Sequence, residues 1–250
     1  MKKILEFFKP SFLPGLTLIA GALALILRIL LQVTGIDEKG LLISGHFASV
    51  LLYILTGLFL AVLFLCVWSL NNLNRYSKLF PASMIGAVGC MLAAVGVLYT
   101  GVAQIFRQSD LLTLITSALA VGAAICLVRI GMFRQKGQRP SYLLYTVVTV
   151  YLMLQLICQY RFWSPESQFT LYFFPLLASV FLTLATYQAT YLSAKKGIRW
   201  QYVFFNQAAL FFCFVSVISQ YWIFYLAMGL WAATNLCSTR MARPRNNKEA

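Results

Sequence analysis

Acidic side chains are nearly missing from this sequence, which sets six Asp and Glu against twenty Lys and Arg in 250 residues. All six lie outside the long apolar stretches: Glu6, Asp37, Glu38, Asp110, Glu166 and Glu249. Transporters driven by protons or sodium usually hold a carboxylate at membrane depth, so that class loses its main signature. Histidine is scarcer still, with His46 alone. Metal-dependent proteolysis needs clustered histidines and carboxylates, and serine hydrolysis needs a positioned serine and histidine pair, so an enzyme is not expected. The six cysteines, Cys66, Cys90, Cys126, Cys158, Cys213 and Cys237, show no C-x-x-C or other ligand spacing. They are expected to pack as small apolar groups, and neither a metal nor a cofactor is implied. Polar stretches long enough for a soluble domain are also lacking, which excludes a built-in kinase or ATPase module.

What is present is apolar. Hydrophobic residues make up 61% of the chain, charged ones 10%, and the mean hydropathy is +0.80, far from an ordinary soluble domain. A helix needs about 20 apolar residues to cross a hydrocarbon core of roughly 30 Å. Eight such spans are predicted, at about 12–34, 42–69, 81–105, 111–133, 142–161, 169–192, 201–218 and 220–238, followed by a basic tail over 240–250. No ten-residue alternation of a β-barrel is visible, so the predicted fold is an all-α polytopic transmembrane bundle forming one domain. The stretch from Gln201 to Ser238 lacks proline and breaks only softly at Ser216, Ser219 and Gln220. One long helix would put the tail's arginines on the wrong side, so two short spans are preferred.

Basic residues near span ends resist translocation and so report orientation. Lys2, Lys3, Lys9, Arg75, Lys78, Arg129, Arg134, Lys136, Arg139, Lys195, Lys196, Arg199 and the tail fall on one side; Lys39, Arg107 and Arg161 fall on the other. Both termini are therefore expected in the cytoplasm. The net charge of +14 reads as this bias and as attraction to anionic lipids, not as a nucleic-acid footprint. Ala22-Leu23-Ala24 resembles a signal-peptidase site, but the apolar run continues to Thr34, so an uncleaved first span is expected.

Several helices are more polar than an anchor requires. Arg28 lies beyond the middle of the first span with Gln32 one turn further, on a stripe with Ala20 and Ala24. A charge there either snorkels to the interface or lines a polar cavity. His46, Ser49, Tyr53 and Thr56 share a stripe on the second span; Tyr151, Gln155 and Gln159 share one on the fifth; Ser179, Thr183, Thr186 and Thr190 share one on the sixth, below a kink at Pro175. Gln104 ends the third span. Arg28, Gln32, His46, Tyr53, Gln104, Gln155 and Gln159 are the candidate ligand-binding residues, for a small neutral or anionic molecule that is transported or sensed through a partner membrane protein. The competing expectation is an accessory subunit in which such groups only join helices. Gly86, Gly89, Ala93 and Gly96 predict a tightly packed, central third helix, and Gln188, Asn206, Gln207 and Asn235 a second polar group towards the cytoplasm. Arg28 and Gln32 align with Gln155 and Gln159 at an offset of 127, which would make two four-helix halves a parallel repeat, though so few matching residues favour coincidence.

Ser44-Gly45-His46 matches a fragment of membrane lipid phosphatases, yet those need a second histidine that this chain lacks. Gln159-Tyr160-Arg161-Phe162-Trp163-Ser164, continuing through Pro175-Leu176-Leu177-Ala178 to Tyr187, resembles uncharacterised multi-span membrane proteins of Gram-positive anaerobic bacteria. The resemblance implies a bacterial plasma-membrane location and carries no activity and no site residue.

Overall fold

The computed structural model describes residues 13–35, 46–68, 79–107, 110–164 and 169–239. The predicted span ends at 12, 42 and 69, the orientation charges Lys2, Lys3, Lys9, Lys39, Arg75 and Lys78, the Ser44-Gly45 fragment and the basic tail over 240–250 lie outside the described residues, as do 108–109 and 165–168. Eight helices and no strand occur among the described residues: α1 (Leu13–Thr34), α2 (Phe47–Trp68), α3 (Met84–Arg107), α4 (Leu111–Gln135), α5 (Tyr142–Trp163), α6 (Phe169–Ser193), α7 (Arg199–Ser216) and α8 (Trp222–Ser238). Six of them, α1 to α6, are long and apolar enough to cross a membrane, the signature of a multi-pass membrane protein in contact with lipid.

The helices run alternately up and down, and six of them close a ring. α3 packs on α4, α4 on α5, α5 on α6, α6 on α7, α7 on α8, and α8 returns to α3. α1 and α2 pair with each other outside this ring and lean on α7, with α1 just reaching α8. At one end, hereafter the cavity end, Thr34 meets His46 and Arg161 meets Asp110. At the other, the basic end, Trp68 lies on Trp200, Ser83 on the end of α4, and Lys136, Arg139, Lys195 and Lys196 are exposed.

α1 turns its small and polar residues inwards and its large apolar ones outwards, whereas α2 packs Leu52, Phe59, Leu63 and Val67 inwards. α1 buries Thr17, Ala20, Gly21, Ala24 and Arg28, while Ile19, Leu23, Ile26 and Val33 are exposed. α3 grips α8 through its glycines. A Cβ on Gly96 would stand 2.4 Å from the Ala227 Cβ, and one on Gly89 would fall 1.7 Å from the Thr234 hydroxyl. α3 is thus tightly packed, but Met84, Ile85, Val88 and Val95 face outwards, so it is not central. The central element is α7, which touches α1, α2, α6 and α8 and buries an unbroken run from Asn206 to Cys213.

α7 and α8 are separate helices divided by a turn over 217–221, in which the Ser219 N–H bonds the Ser216 carbonyl at 3.0 Å. At 18 and 17 residues they reach about 27 and 25 Å at 1.5 Å per residue. Other helix ends are stopped by local chemistry. After α4 the Gly137 N–H bonds the Arg134 carbonyl and the Gln138 N–H the Phe133 carbonyl, with Gly137 at φ +64, a Schellman end. α6 ends in the same way with Lys195, at φ 62, in the position that favours glycine. The Ser141 hydroxyl caps α5 by accepting from the Leu143 N–H at 3.4 Å, and the Ser193 hydroxyl donates to the Pro140 carbonyl at 2.8 Å, tying two basic-end turns together.

The offset between Arg28–Gln32 and Gln155–Gln159 has no counterpart in the packing. α5 is a member of the ring and α1 lies outside it, so the two positions are not equivalent.

Candidate functional site: a cavity walled by Arg28

Arg28 sits on the inward stripe of α1, four residues after Ala24, and is only 5% exposed. Its guanidinium carbon lies 5.2 Å from the centre of the Phe174 ring on α6, a cation–π distance. It forms part of the wall of a cavity of about 290 Å³ at the cavity end, together with Gln32, Phe162, Tyr172, Pro175, Ile218, Ser219 and Gln220. Four parts of the chain therefore converge: the end of α1, the end of α5, the start of α6 and the α7–α8 turn. Among the described residues this lining holds one cation and no carboxylate.

The wall behind the cavity is a closed hydrogen-bond cluster built around Pro175. Proline has no N–H, so α6 lacks the bond that residue 175 would give to the carbonyl four residues earlier, and at this weakened turn the Pro175 carbonyl also accepts from side chains. Tyr225 on α8 places its hydroxyl 3.1 Å from that carbonyl and 3.2 Å from Oε1 of Gln159 on α5. The Ser179 hydroxyl lies 2.8 Å from the same Gln159 oxygen, 3.1 Å from the Pro175 carbonyl and 3.2 Å from the Tyr225 hydroxyl. Two hydroxyl protons thus meet two carbonyl acceptors, and all four groups are satisfied when Ser179 donates to Gln159 and Tyr225 to Pro175. The cluster stitches α5, α6 and α8 across the ring, immediately behind a residue of the cavity wall.

The seven residues singled out in the sequence are not gathered at one site. Arg28 and Gln32 line the cavity, and Gln159 stands in the cluster behind it. Tyr53 is partly exposed on α2 and stacks on Phe174, the ring beneath Arg28, with centroids 5.8 Å apart and an 18° interplanar angle. His46 acts at a helix start: its Nδ1 accepts from the Ala48 N–H at 3.3 Å, and its Nε2 lies 3.5 Å from the Thr34 hydroxyl. Gln104 is buried one turn beyond Gly101, whose absent Cβ lets α3 approach Ser117 and Ala120 on α4. Gln155 is fully buried inside the ring, and neither of its amide atoms finds a hydrogen-bond partner among the described residues.

The threonine stripe of α6 is satisfied within its own helix. Thr183, Thr186 and Thr190 donate to the carbonyls of Ser179, Leu182 and Thr186 at 2.8, 3.1 and 3.0 Å. The expected second polar group also separates: Gln207 accepts from Thr17 on α1, Asn206 donates to the Tyr202 carbonyl, and Asn235 faces Arg134.

Arg134 itself is the feature that charge counting hid. Assigned by sequence to the cytoplasmic flank, it is 3% exposed. Its Nη1 donates to the Asn235 Oδ1, its Nη2 donates to the Tyr145 hydroxyl at 3.3 Å, and its guanidinium carbon lies 4.6 Å from the Phe80 ring centre. Helical spacing carries the signal: Arg134 follows Ala120, Ala123, Ala124, Leu127 and Gly131 on one buried stripe of α4. Arg199, also assigned to the flank, is buried at the start of α7.

No protein-family model, no curated protein and no solved structure matches the chain. Its function has to be read from these residues.

Proposed function

We propose that the protein crosses a bacterial plasma membrane eight times, as one domain with both ends and the 240–250 tail in the cytoplasm, and that its outward-facing cavity binds a small anionic molecule for transport or for sensing through a partner membrane protein. The observation that carries the reading is Arg28, a buried guanidinium in the wall of a cavity whose other lining residues are neutral polar and apolar. An arginine at a helix centre costs about 2.5–3.5 kcal/mol on insertion scales, which makes a buried one in a cavity wall a functional candidate. Gln32, Ser219 and Gln220 add neutral polar groups, and Phe162, Tyr172, Pro175 and Ile218 add apolar surface, so an anion with an apolar body fits the wall best. The outward direction follows from the exposed lysines and arginines gathered at the opposite end.

One observation favours the accessory-subunit reading, with no ligand of its own: most hydroxyls of α6, and the Ser179 and Tyr225 hydroxyls with the Gln159 carbonyl oxygen, find partners inside the bundle. Thermal unfolding of the purified protein against a panel of organic anions separates the two. A ligand at 100 times its Kd stabilises the native state by about 2.7 kcal/mol, and Arg28→Leu should abolish that gain. A panel without any stabilising anion, or a gain that survives Arg28→Leu, would move the assignment to the accessory subunit.

A further inference from the structure

The cavity does not account for the polar groups deeper in the ring. α5 buries a half-cylinder of surface, with Cys158 at one edge, 3.2 Å from the Thr116 hydroxyl of α4, and Trp163 at the other, stacked on Tyr172 of α6 at 4.7 Å. With successive residues turned by about 100°, Gln155 and Gln159 fall near the midline of that arc and point into the ring. Towards the basic end the buried arc continues with Tyr151, about 40° round from Gln155 on the Cys158 side, and Tyr145, on the Trp163 side. From Tyr145 to Trp163 it rises through 18 steps, about 27 Å at 1.5 Å per residue, close to the roughly 30 Å of the hydrocarbon core.

Two polar bridges cross this interior. Near the cavity, Gln159 meets Tyr225 of α8; near the basic end, Arg134 of α4 meets both Tyr145 of α5 and Asn235 of α8. Between the bridges lie Gln155, with both amide atoms unpartnered among the described residues, the unpartnered Tyr151 hydroxyl, and on the same helix the unpartnered Gln159 Nε2. Four polar atoms buried at this depth without protein partners call for a polar guest, because buried groups of this kind are otherwise paired with protein or with water. A side-chain amide left open on both ends presents a donor and an acceptor to whatever occupies the space.

We infer that the interior of the α3–α8 ring is a hydrated passage, with the polar face of α5 as its wall, and that the anion held at Arg28 crosses the membrane along it. This rests on the cavity reading and selects transport over sensing. The Tyr225–Gln159–Ser179 cluster closes the cavity side and the Arg134–Tyr145–Asn235 bridge closes the other; the structure is the form shut at both. A guanidinium at each end and neutral amides and hydroxyls between them suit an anion and disfavour a cation.

The test uses benzenesulfonate, a permanent anion with an aromatic body, and the full-length protein in liposomes. In a background with the six cysteines replaced, Gln155→Cys should react with a sulfonated methanethiosulfonate, and benzenesulfonate should slow that reaction. Gln155→Leu should keep benzenesulfonate-induced thermal stabilisation but lower labelled benzenesulfonate flux at least tenfold. A folded Gln155→Cys protein that resists labelling while Ser164→Cys is labelled would overturn the passage, as would unchanged flux in Gln155→Leu. Absence of any wild-type stabilisation by benzenesulfonate overturns the cavity reading instead, and labelling at position 155 then decides the passage by itself.

Discussion

Substituting alanine for glycine separates contact from propensity at the α3–α8 interface. Gly96 would place its new Cβ 2.4 Å from the Ala227 Cβ, whereas Gly122 on α4 and Gly57 on α2 have nothing within 4 Å. Carbon atoms pack at about 3.5–4.0 Å, so Gly96→Ala forces the two helices apart by more than about 1 Å. Ala227 has no longer side chain to swing aside, and the strain must be taken by backbone. Overpacking of this kind costs about 1–3 kcal/mol. Gly122→Ala and Gly57→Ala meet no such resistance and should gain about 0.5–1 kcal/mol from helix propensity. Thermal unfolding of detergent-solubilised protein, followed by tryptophan fluorescence, should therefore rank Gly122→Ala and Gly57→Ala at or above wild type. Gly96→Ala should fall below it by several degrees, at roughly 2–4 °C per kcal/mol for a chain of this size. Equal midpoints for Gly96→Ala and Gly122→Ala would show that α3 and α8 do not approach as closely as described.

Asn235→Leu removes the acceptor facing buried Arg134 and should cost about 1.5–3 kcal/mol in the same assay, most of which Arg134→Met in the same chain should recover. Arg28→Lys should bind an organic anion more weakly than wild type but better than Arg28→Leu, since lysine keeps the charge and loses the planar fork; equal binding by all three would remove Arg28 from the site. Lys195→Gly relieves a left-handed backbone at φ 62 and should raise stability by about 1 kcal/mol, read as an upward shift of the unfolding midpoint. Cysteine labelling should reach Ser164→Cys from outside intact cells and Gln138→Cys only after permeabilisation; the reverse pattern would invert the orientation.

Much of this architecture is legible in the sequence because lipid-spanning helices obey few rules. Length and apolarity place eight helices to within a few residues, six of them long and apolar enough to cross a membrane, apart from α2, which begins at Phe47, after His46, and not at 42. Gly89 and Gly96 read as close packing, and they are. What the sequence concealed depends on which helix neighbours which. His46, Tyr53 and Gln104 are polar residues at or near a cavity-end terminus, as Gln32 is, and only the packing of α1 against the α7–α8 turn separates the cavity wall from the rest. Arg134 was read as one more flanking charge because counting arginines near a span end ignores which way each points. The centrality of α7 was hidden too, since a less apolar helix of 18 residues looks marginal until the helices that enclose it are in place.

That enclosure bears on how the chain assembles. The helices that meet the length and hydropathy needed to cross a membrane are α1 to α6; α7 and α8 do not, yet α7 is the most surrounded element and α8 closes the ring onto α3. The α7–α8 hairpin is thus the part of the bundle least suited to lipid by length and hydropathy, and its place between α1, α3 and α6 is made by protein contacts. Without it, the glycine face of α3 would lose the surface it meets on α8.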